Sequence, residues 1–356
     1  MKELEKLRRE IDGIDDRILN LLNKRSRIVL DIAHIKRNSN AKFYSPERER
    51  QILERLTANN KGPIPDATLK VIFREIISAS LSLEEPLKVA CLGPLATYTH
   101  LAAIRYFGSS AQFVPVPTIK DVFDVVESGK VDFGVVPIEN STEGVISYTI
   151  DLFMDYDLKV SAEVMLRITH NLLSKSGDKS RIKKIYSFSP PTAQCRRWLA
   201  ANMAGIPIVE ATSSAHAAEL ASRDDEGSAI ASELAAEVYN LEFVERSIED
   251  NKYNLTRFMV ISKEFPQKSG KDKTSIMFSI KDKPGALYNI LEPFKKAKLN
   301  LTKIESRPSR RRAWEYIFFV DIEGHIEDKK LKEAVEMMKE NCLYLKILGS
   351  YPQGDV

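Results

Sequence analysis

Apolar side chains recur near the start of the chain at alternating steps of three and four: Leu4, Leu7, Ile11, Ile14, Ile18, Leu21, Ile28, Ile32 and Ile35. This is a heptad seam, and it predicts one long helix whose apolar stripe packs against partner helices. Arg25 stands between Leu21 and Ile28, where the pattern requires a hydrophobe. An uncompensated buried charge is strongly destabilising, so Arg25 needs either a carboxylate that fixes helix register or a bound anion. Lys36, eleven residues on, falls within about 20° of Arg25 around an ideal helix and about 16 Å further along it, so both cations can close on one small anion. Arg8 lies about 42 Å from Lys36 on a straight helix and cannot join that anion from its own chain. If Arg8 belongs to the site, a second protomer supplies it.

The helical pattern continues from about Pro46 to Thr57 and from about Asp66 to Leu83, separated by a turn-rich stretch from Asn59 to Pro65. Glu84-Glu85-Pro86 ends it. From Leu87 short β-rich runs alternate with helical patterns, as at Lys88 to Leu92, Phe133 to Pro137 and Ala229 to Ser232, which predicts an α/β domain. After the polar stretch from Pro266 to Asp272 the order is a strand (Thr274 to Ile280), a helix (Pro284 to Ala297), two strands (Asn300 to Ser306, Ala313 to Asp321), a helix (Asp328 to Asn341) and a last strand (Leu343 to Ser350). That βαββαβ order predicts a small α+β ferredoxin-like sandwich. The chain therefore divides into an all-α domain over 1–86, an α/β domain over 87–264 and an α+β domain over 273–352.

Composition narrows the function classes. The chain has 356 residues, 43% of them apolar, enough for two or three real cores. A net charge of +3 argues against nucleic acid as a partner, and the local cluster Arg307, Arg310, Arg311 and Arg312 reads as a solvated loop between strands. Cys91, Cys195 and Cys342 are too few and too scattered for a disulfide framework or a thiolate zinc site, which suggests reduced thiols in a cytoplasmic protein. No apolar run reaches membrane-spanning length, and the five histidines contain no close ligand pair, so neither membrane insertion nor a metal is expected.

Candidate chemistry lies in all three parts. In the helical part Arg48 and Glu49, among other charges, could form a plain solvent face, but with Arg25 and Lys36 they can supply a pocket. Ser80 and Glu84 share a helix face one turn apart. The run Leu7-Arg8-Arg9-Glu10-Ile11-Asp12, the Arg25 and Lys36 spacing, Arg48-Glu49-Arg50 and Ile76-Ile77-Ser78-Ala79-Ser80 together resemble the all-helical chorismate mutase family. That resemblance implies an intertwined homodimer in which Arg8 of one protomer completes the site of Arg25, Lys36, Arg48, Glu49, Ser80 and Glu84 of the other. Ser45 would contribute main chain alone. The implied substrate, chorismate, is a small dianion whose rearrangement to prephenate needs no nucleophile, proton transfer or cofactor, only a compact conformer and stabilised negative charge on the breaking ether oxygen. Arg8, Arg25 and Ser80 would grip carboxylates, Glu49 the ring hydroxyl, and Lys36 the ether oxygen. Glu84 stands where some relatives carry glutamine and, since an ionised carboxylate cannot donate, would act protonated.

In the α/β part the strings Gly93-Pro94-Leu95-Ala96-Thr97, Pro137-Ile138-Glu139-Asn140-Ser141 and Asn254-Leu255-Thr256-Arg257-Phe258 are each ordinary alone. In this order they resemble the prephenate dehydratase family, whose domain is similar to two-lobed periplasmic-binding-protein-like folds with substrate in the cleft. The resemblance implies that Thr256 assists departure of the ring hydroxyl as decarboxylation makes the ring aromatic, with Thr97, Asn140, Ser187, Gln194, Ser213 and Phe258 in or near the cleft. Arg257 would hold a carboxylate or a lobe contact. Two positions depart from the family pattern: Ala96 replaces a glycine and Phe188 a histidine.

In the terminal part Gly285-Ala286-Leu287 and Glu305-Ser306-Arg307-Pro308 resemble the ACT regulatory domain, which implies phenylalanine bound at a dimer interface, its carboxylate near a helix start. The three resemblances span nearly the whole chain and imply a bifunctional chorismate mutase and prephenate dehydratase of phenylalanine biosynthesis, without cofactor and with phenylalanine as feedback effector. A mutase fused to prephenate dehydrogenase would need a Gly-x-Gly-x-x-Gly loop, which is absent. A non-catalytic sensor of aromatic metabolites or amino acids is the rival from another class.

Overall fold

A computed structural model describes residues 2–39, 44, 46–281, 283–308 and 316–354. The chain forms two compact units, one of residues 1–88 and 104–112, the other of 89–103 and 113–356.

The first unit is helical, with α1 (Lys2–Ser39), α2 (Pro46–Asn59) and α3 (Asp66–Glu84). The heptad helix is continuous, as its uninterrupted periodicity requires, and α3 packs on both α1 and α2. Every seam residue named above is exposed, from 43% at Ile32 to 66% at Ile35. Among the described residues, then, the stripe stays largely exposed.

The next stretch runs β1 (Lys88–Leu92), α4 (Tyr98–Phe107), β2 (Gln112–Val116), α5 (Ile119–Glu127), β3 (Phe133–Asn140), β4 (Gly144–Val145), α6 (Ser147–Asp155) and β5 (Lys159–Arg167). A second α/β run follows: β6 (Asn171–Ser174), β7 (Lys184–Ser187), α7 (Ser189–Gln194), α8 (Arg196–Asn202), β8 (Ile208–Glu210), α9 (Ser214–Ser222), β9 (Gly227–Ala231), α10 (Glu233–Tyr239) and β10 (Glu242–Glu245). Then β11 (Leu255–Ser262) returns to the first sheet, whose order is β2-β1-β3-β11-β5 with β4 on β3. The second sheet has the order β10-β6-β9-β7-β8. Two lobes joined by two crossovers result, and the crossovers touch where Ile168 N–H donates to the Asn254 carbonyl at 2.9 Å.

The terminal part is β12 (Asp272–Ile280), α11 (Ala286–Ala297), β13 (Leu301–Pro308), β14 (Tyr316–Glu323), α12 (Lys329–Lys339) and β15 (Cys342–Pro352), an antiparallel sheet of order β13-β14-β12-β15. This is the expected βαββαβ sandwich, with Ala313 of the predicted third strand outside the described residues. One sheet face carries α11 and α12 over Ile276, Phe278, Val320 and Ile322. From the other, Met277, Ile317, Phe319, Leu348 and Tyr351 join the core of the first lobe, with Phe153, Leu158 and Val160. Gly349 lies so close to the Val160 backbone that any Cβ there would collide with it.

Candidate active sites

In the helical unit Arg25 does not meet a register-fixing carboxylate among the described residues. Its guanidinium donates to the Ser80 hydroxyl and, at 3.5 Å, to the Ile76 carbonyl, while Ser80 donates to that same carbonyl at 2.7 Å. Partial desolvation lowers the Arg25 pKa without a counter-charge to oppose it. Glu49, on α2, accepts from the Tyr44 hydroxyl at 3.2 Å and lies 3.6 Å from Arg74 Nε on α3. Burial pushes the Glu49 carboxyl up, and Arg74 and Tyr44 work against that shift. Ser80 and Glu84 are both buried on α3, and Lys36 is half-buried near the end of α1. Arg48 is exposed, 3.5 Å from the Gln51 side-chain oxygen, and Arg8 is exposed on α1. Ser45 lies outside the described residues. Sequence reasoning missed Arg74, whose place beside Glu75 on an amphipathic helix carries no mark that separates it from a solvent-facing charge.

In the two-lobed part β11 pairs antiparallel with β3, Thr256 opposite Asn140 and Arg257 opposite Glu139, with a bulge immediately after Arg257. Bulges re-aim side chains, and adjacent strand residues point to opposite faces. On one face the Asn140 amide donates to Thr256 Oγ1 and to Asn254 Oδ1, each at 2.8 Å. Asn254 Nδ2 donates to Gln194 Oε1 at 2.8 Å, and Gln194 Nε2 donates to Glu143 at 2.6 Å. Gln194 Oε1 also lies 2.7 Å from His170 Nε2, which must therefore carry the hydrogen. The other ring nitrogen of His170 faces the Tyr98 hydroxyl at 2.9 Å. Burial lowers the His170 pKa, against the raising effect of Gln194 and the charges of Glu249 and Glu143, so the ring is neutral at neutral pH. Thr256, Asn140 and Gln194 are thus brought together by Asn254. Neither Asn254 nor His170 was singled out as a site residue, although Asn254 opens the Asn-Leu-Thr-Arg-Phe string.

The other expected cleft residues make local hydrogen bonds or are buried. Thr97 Oγ1 donates to the Leu92 carbonyl at 2.7 Å and accepts from His100 N–H, and Ser213 caps α9 by accepting from His216 N–H at 3.0 Å. Ser187, at the end of β7, donates to the Phe188 carbonyl, and Phe188 itself is 37% exposed. Phe258 is buried. Ala96 has φ +68°, a left-handed conformation that a glycine adopts without cost. Its methyl packs in the second lobe's alanine-rich core.

On the opposite strand face the two possibilities for Arg257 are resolved in favour of a structural contact. Its guanidinium binds Glu163 of β5 at 2.7 Å, Asp321 of β14 at 2.5 Å and the Tyr351 hydroxyl at 3.1 Å. Lys273 adds a second cation to Glu163 at 2.8 Å. Beside it, Glu139 pairs with Lys303 of β13 at 2.8 Å.

In the terminal part Gly285, at φ +78°, starts α11, with Ala286 buried and Leu287 half-buried. A cavity of about 260 Å³ lies beside this start, lined by Lys281, Lys283, Ala286, Asn289, Cys342 and Leu343 among others. On β13, Glu305 is half-buried, Ser306 and Pro308 are exposed, and Arg307 pairs with Asp151 at 3.0 Å. Arg307 thus faces the first lobe. Residues 310–312 of the basic cluster lie outside the described residues.

Comparison with known proteins matches three family models in the same order: chorismate mutase type II over residues 7–85, prephenate dehydratase over 89–266 and the ACT domain over 274–336. The bifunctional chorismate mutase/prephenate dehydratase of Aquifex aeolicus is 49% identical across 99% of each chain, and that of Stutzerimonas stutzeri 42% identical across 99% of this chain and 98% of its own. Among solved structures, a prephenate dehydratase from Arthrobacter aurescens in complex with L-Phe is 31% identical (TM-score 0.69), covering 75% of this chain and 90% of its own. GqqA, described as a novel type of quorum-quenching acylase, is 28% identical (TM-score 0.68), over 75% and 97%. That second likeness shows that the fold alone does not set the chemistry, which must be read from the site. With both full-length relatives covered almost end to end, the chain belongs to the bifunctional chorismate mutase/prephenate dehydratase family.

Proposed function

We propose that this enzyme rearranges chorismate to prephenate in its helical unit and converts prephenate to phenylpyruvate, carbon dioxide and water in the cleft of its two-lobed part, under feedback by phenylalanine. The observation that carries the dehydratase reading is the contact of Asn140 with Thr256: because Asn140 donates, the Thr256 hydroxyl hydrogen is left for a ligand. A threonine is a weak acid, so Thr256 acts as a positioned donor to the departing ring hydroxyl while carbon dioxide leaves, and aromatisation supplies most of the driving force. In the mutase, Arg25, Ser80 and Lys36 hold the dianion with Glu49 on its hydroxyl, and Glu84, protonated, donates to the ether oxygen that Lys36 also faces.

Dimerisation completes the mutase. A row of exposed apolar side chains on one face of α1 supports a second copy of the same helix as its cover, which also supplies the otherwise unreachable Arg8. Phenylalanine would bind in the terminal domain at Gly285, Ala286 and Leu287 and along Glu305 to Pro308, and a cytoplasmic homodimer is the working form. No helix among the described residues is long and apolar enough to cross a membrane.

Incubating the purified chain with chorismate, without added cofactor or metal, tests the reading. Prephenate should accumulate transiently and phenylpyruvate follow. Binding of chorismate with no product would establish the sensor alternative instead.

A further inference from the structure

We infer that Asn254 is a positioning residue of the dehydratase site, joining Asn140 on one lobe to Gln194 on the other in the hydrogen-bond chain that ends at Thr256. The inference rests on the reading of Thr256 as the donor to the leaving oxygen. Asn140 Oδ1 accepts backbone N–H groups of Thr142 at 2.8 Å and Glu143 at 3.0 Å, so its amide has one permitted orientation. Its two hydrogens then go to Thr256 and Asn254. At the far end the Glu143 carboxylate, as an acceptor, takes the Gln194 Nε2 hydrogen, which turns Gln194 Oε1 toward Asn254 and His170. Asn254 satisfies both anchored ends, because it accepts with one side-chain atom and donates with the other. It is 2% exposed and sits where the two crossovers touch. Among the described residues no acceptor takes the Thr256 hydroxyl hydrogen, which the chain therefore leaves directed at a ligand.

Substitution in the full-length protein tests this. Asn254→Ala should lower dehydratase kcat by about 100-fold with KM within about threefold, since positioning is felt mainly in the transition state. Asn254→Asp gives a sharper signature. Ionised, the introduced carboxyl still accepts from Asn140 but repels Gln194 Oε1. Protonated, it can donate to that oxygen as asparagine does, so turnover relative to wild type should climb as pH falls. Glu143, His170, Tyr98 and Glu249 face this network in both proteins, so the variant-to-wild-type ratio isolates the introduced group. An Asn254→Ala protein within about threefold of wild-type kcat overturns the inference, as does a pH-independent ratio for Asn254→Asp. Should Asn254→Ala fail to fold, the Asn254→Asp ratio decides. Retained turnover in Thr256→Ala would instead refute the site itself.

Discussion

At the scale of single residues, the charges that matter are those whose surroundings leave one acceptable state. Burial alone would push the Glu163 carboxyl up, but Arg257, Lys273 and the Gly354 N–H together hold it below its ordinary value of 4.5. A carboxylate with a depressed folded pKa contributes stability that is fully present above its unfolded pKa and is lost as pH falls through the folded one. The second unit should therefore weaken progressively below about pH 4.5. Glu163→Gln should lower stability at neutral pH by about 3–5 kcal/mol, because two buried cations lose their partner, and should flatten that acid limb. Calorimetry across the acid range checks both. Glu84 makes the opposite demand. If Glu84 is the protonated donor to the ether oxygen proposed above, mutase turnover should fall as pH rises, and Glu84→Gln should hold turnover level. An unchanged profile in that variant would refute the protonated role. The sequence already flagged Ala96 as a departure from the resembled pattern; its left-handed φ is one that glycine adopts without cost, which only the backbone reveals.

At the scale of elements, the helices and strands follow closely from periodicity, since 3.6- and 2-residue repeats report which face meets a core. What periodicity could not supply was the partner of each face. The β3–β11 pair shows why. Asn140 and Thr256 point into the cleft, while their neighbours Glu139 and Arg257 point to the terminal sheet, and the identity of those contacts depends on Lys303 and Asp321, far along the chain. One strand pair thus carries a side proposed to face substrate and a side gripped by the β-strand on which phenylalanine is proposed to bind. Lys303→Met should leave basal dehydratase turnover within about twofold but raise the phenylalanine concentration for half inhibition by about tenfold, a coupling loss of about 1.4 kcal/mol. Inhibition assays beside direct phenylalanine-binding measurements separate lost coupling from lost binding. The polar residues of the proposed cleft were legible mainly as a string of motifs: Thr97 and Ser213 match the pattern and also make local capping hydrogen bonds, and Asn254 was overlooked because a buried asparagine has no periodic signature.

At the scale of the whole molecule, two successive reactions share one chain, and on the proposed reading the first requires two chains. Mixing equal amounts of Arg8→Ala and Arg25→Ala proteins under conditions that allow exchange should restore mutase turnover to about a quarter of wild type, because half the dimers are mixed and each holds one intact site. Restoration absent despite demonstrated exchange would place Arg8 outside the site. Dehydratase turnover should be indifferent to the mixing. The heptad was fully visible in the sequence, and so was the inability of Arg8 to reach Lys36. Only the structure shows that the stripe stays exposed among the described residues.

That bare stripe bears on how the protein is made. Leu4 to Ile35 are translated ahead of α2 and of everything that follows it, so the surface proposed for dimerisation leaves the ribosome while the catalytic units are still incomplete. If it is the dimer seam, two chains growing on one message can pair through it at once, at a local concentration that dilute finished protomers never reach. Assembly begun during synthesis shortens the interval in which a row of isoleucines and leucines stands in water, where any other apolar surface in the cell competes for it.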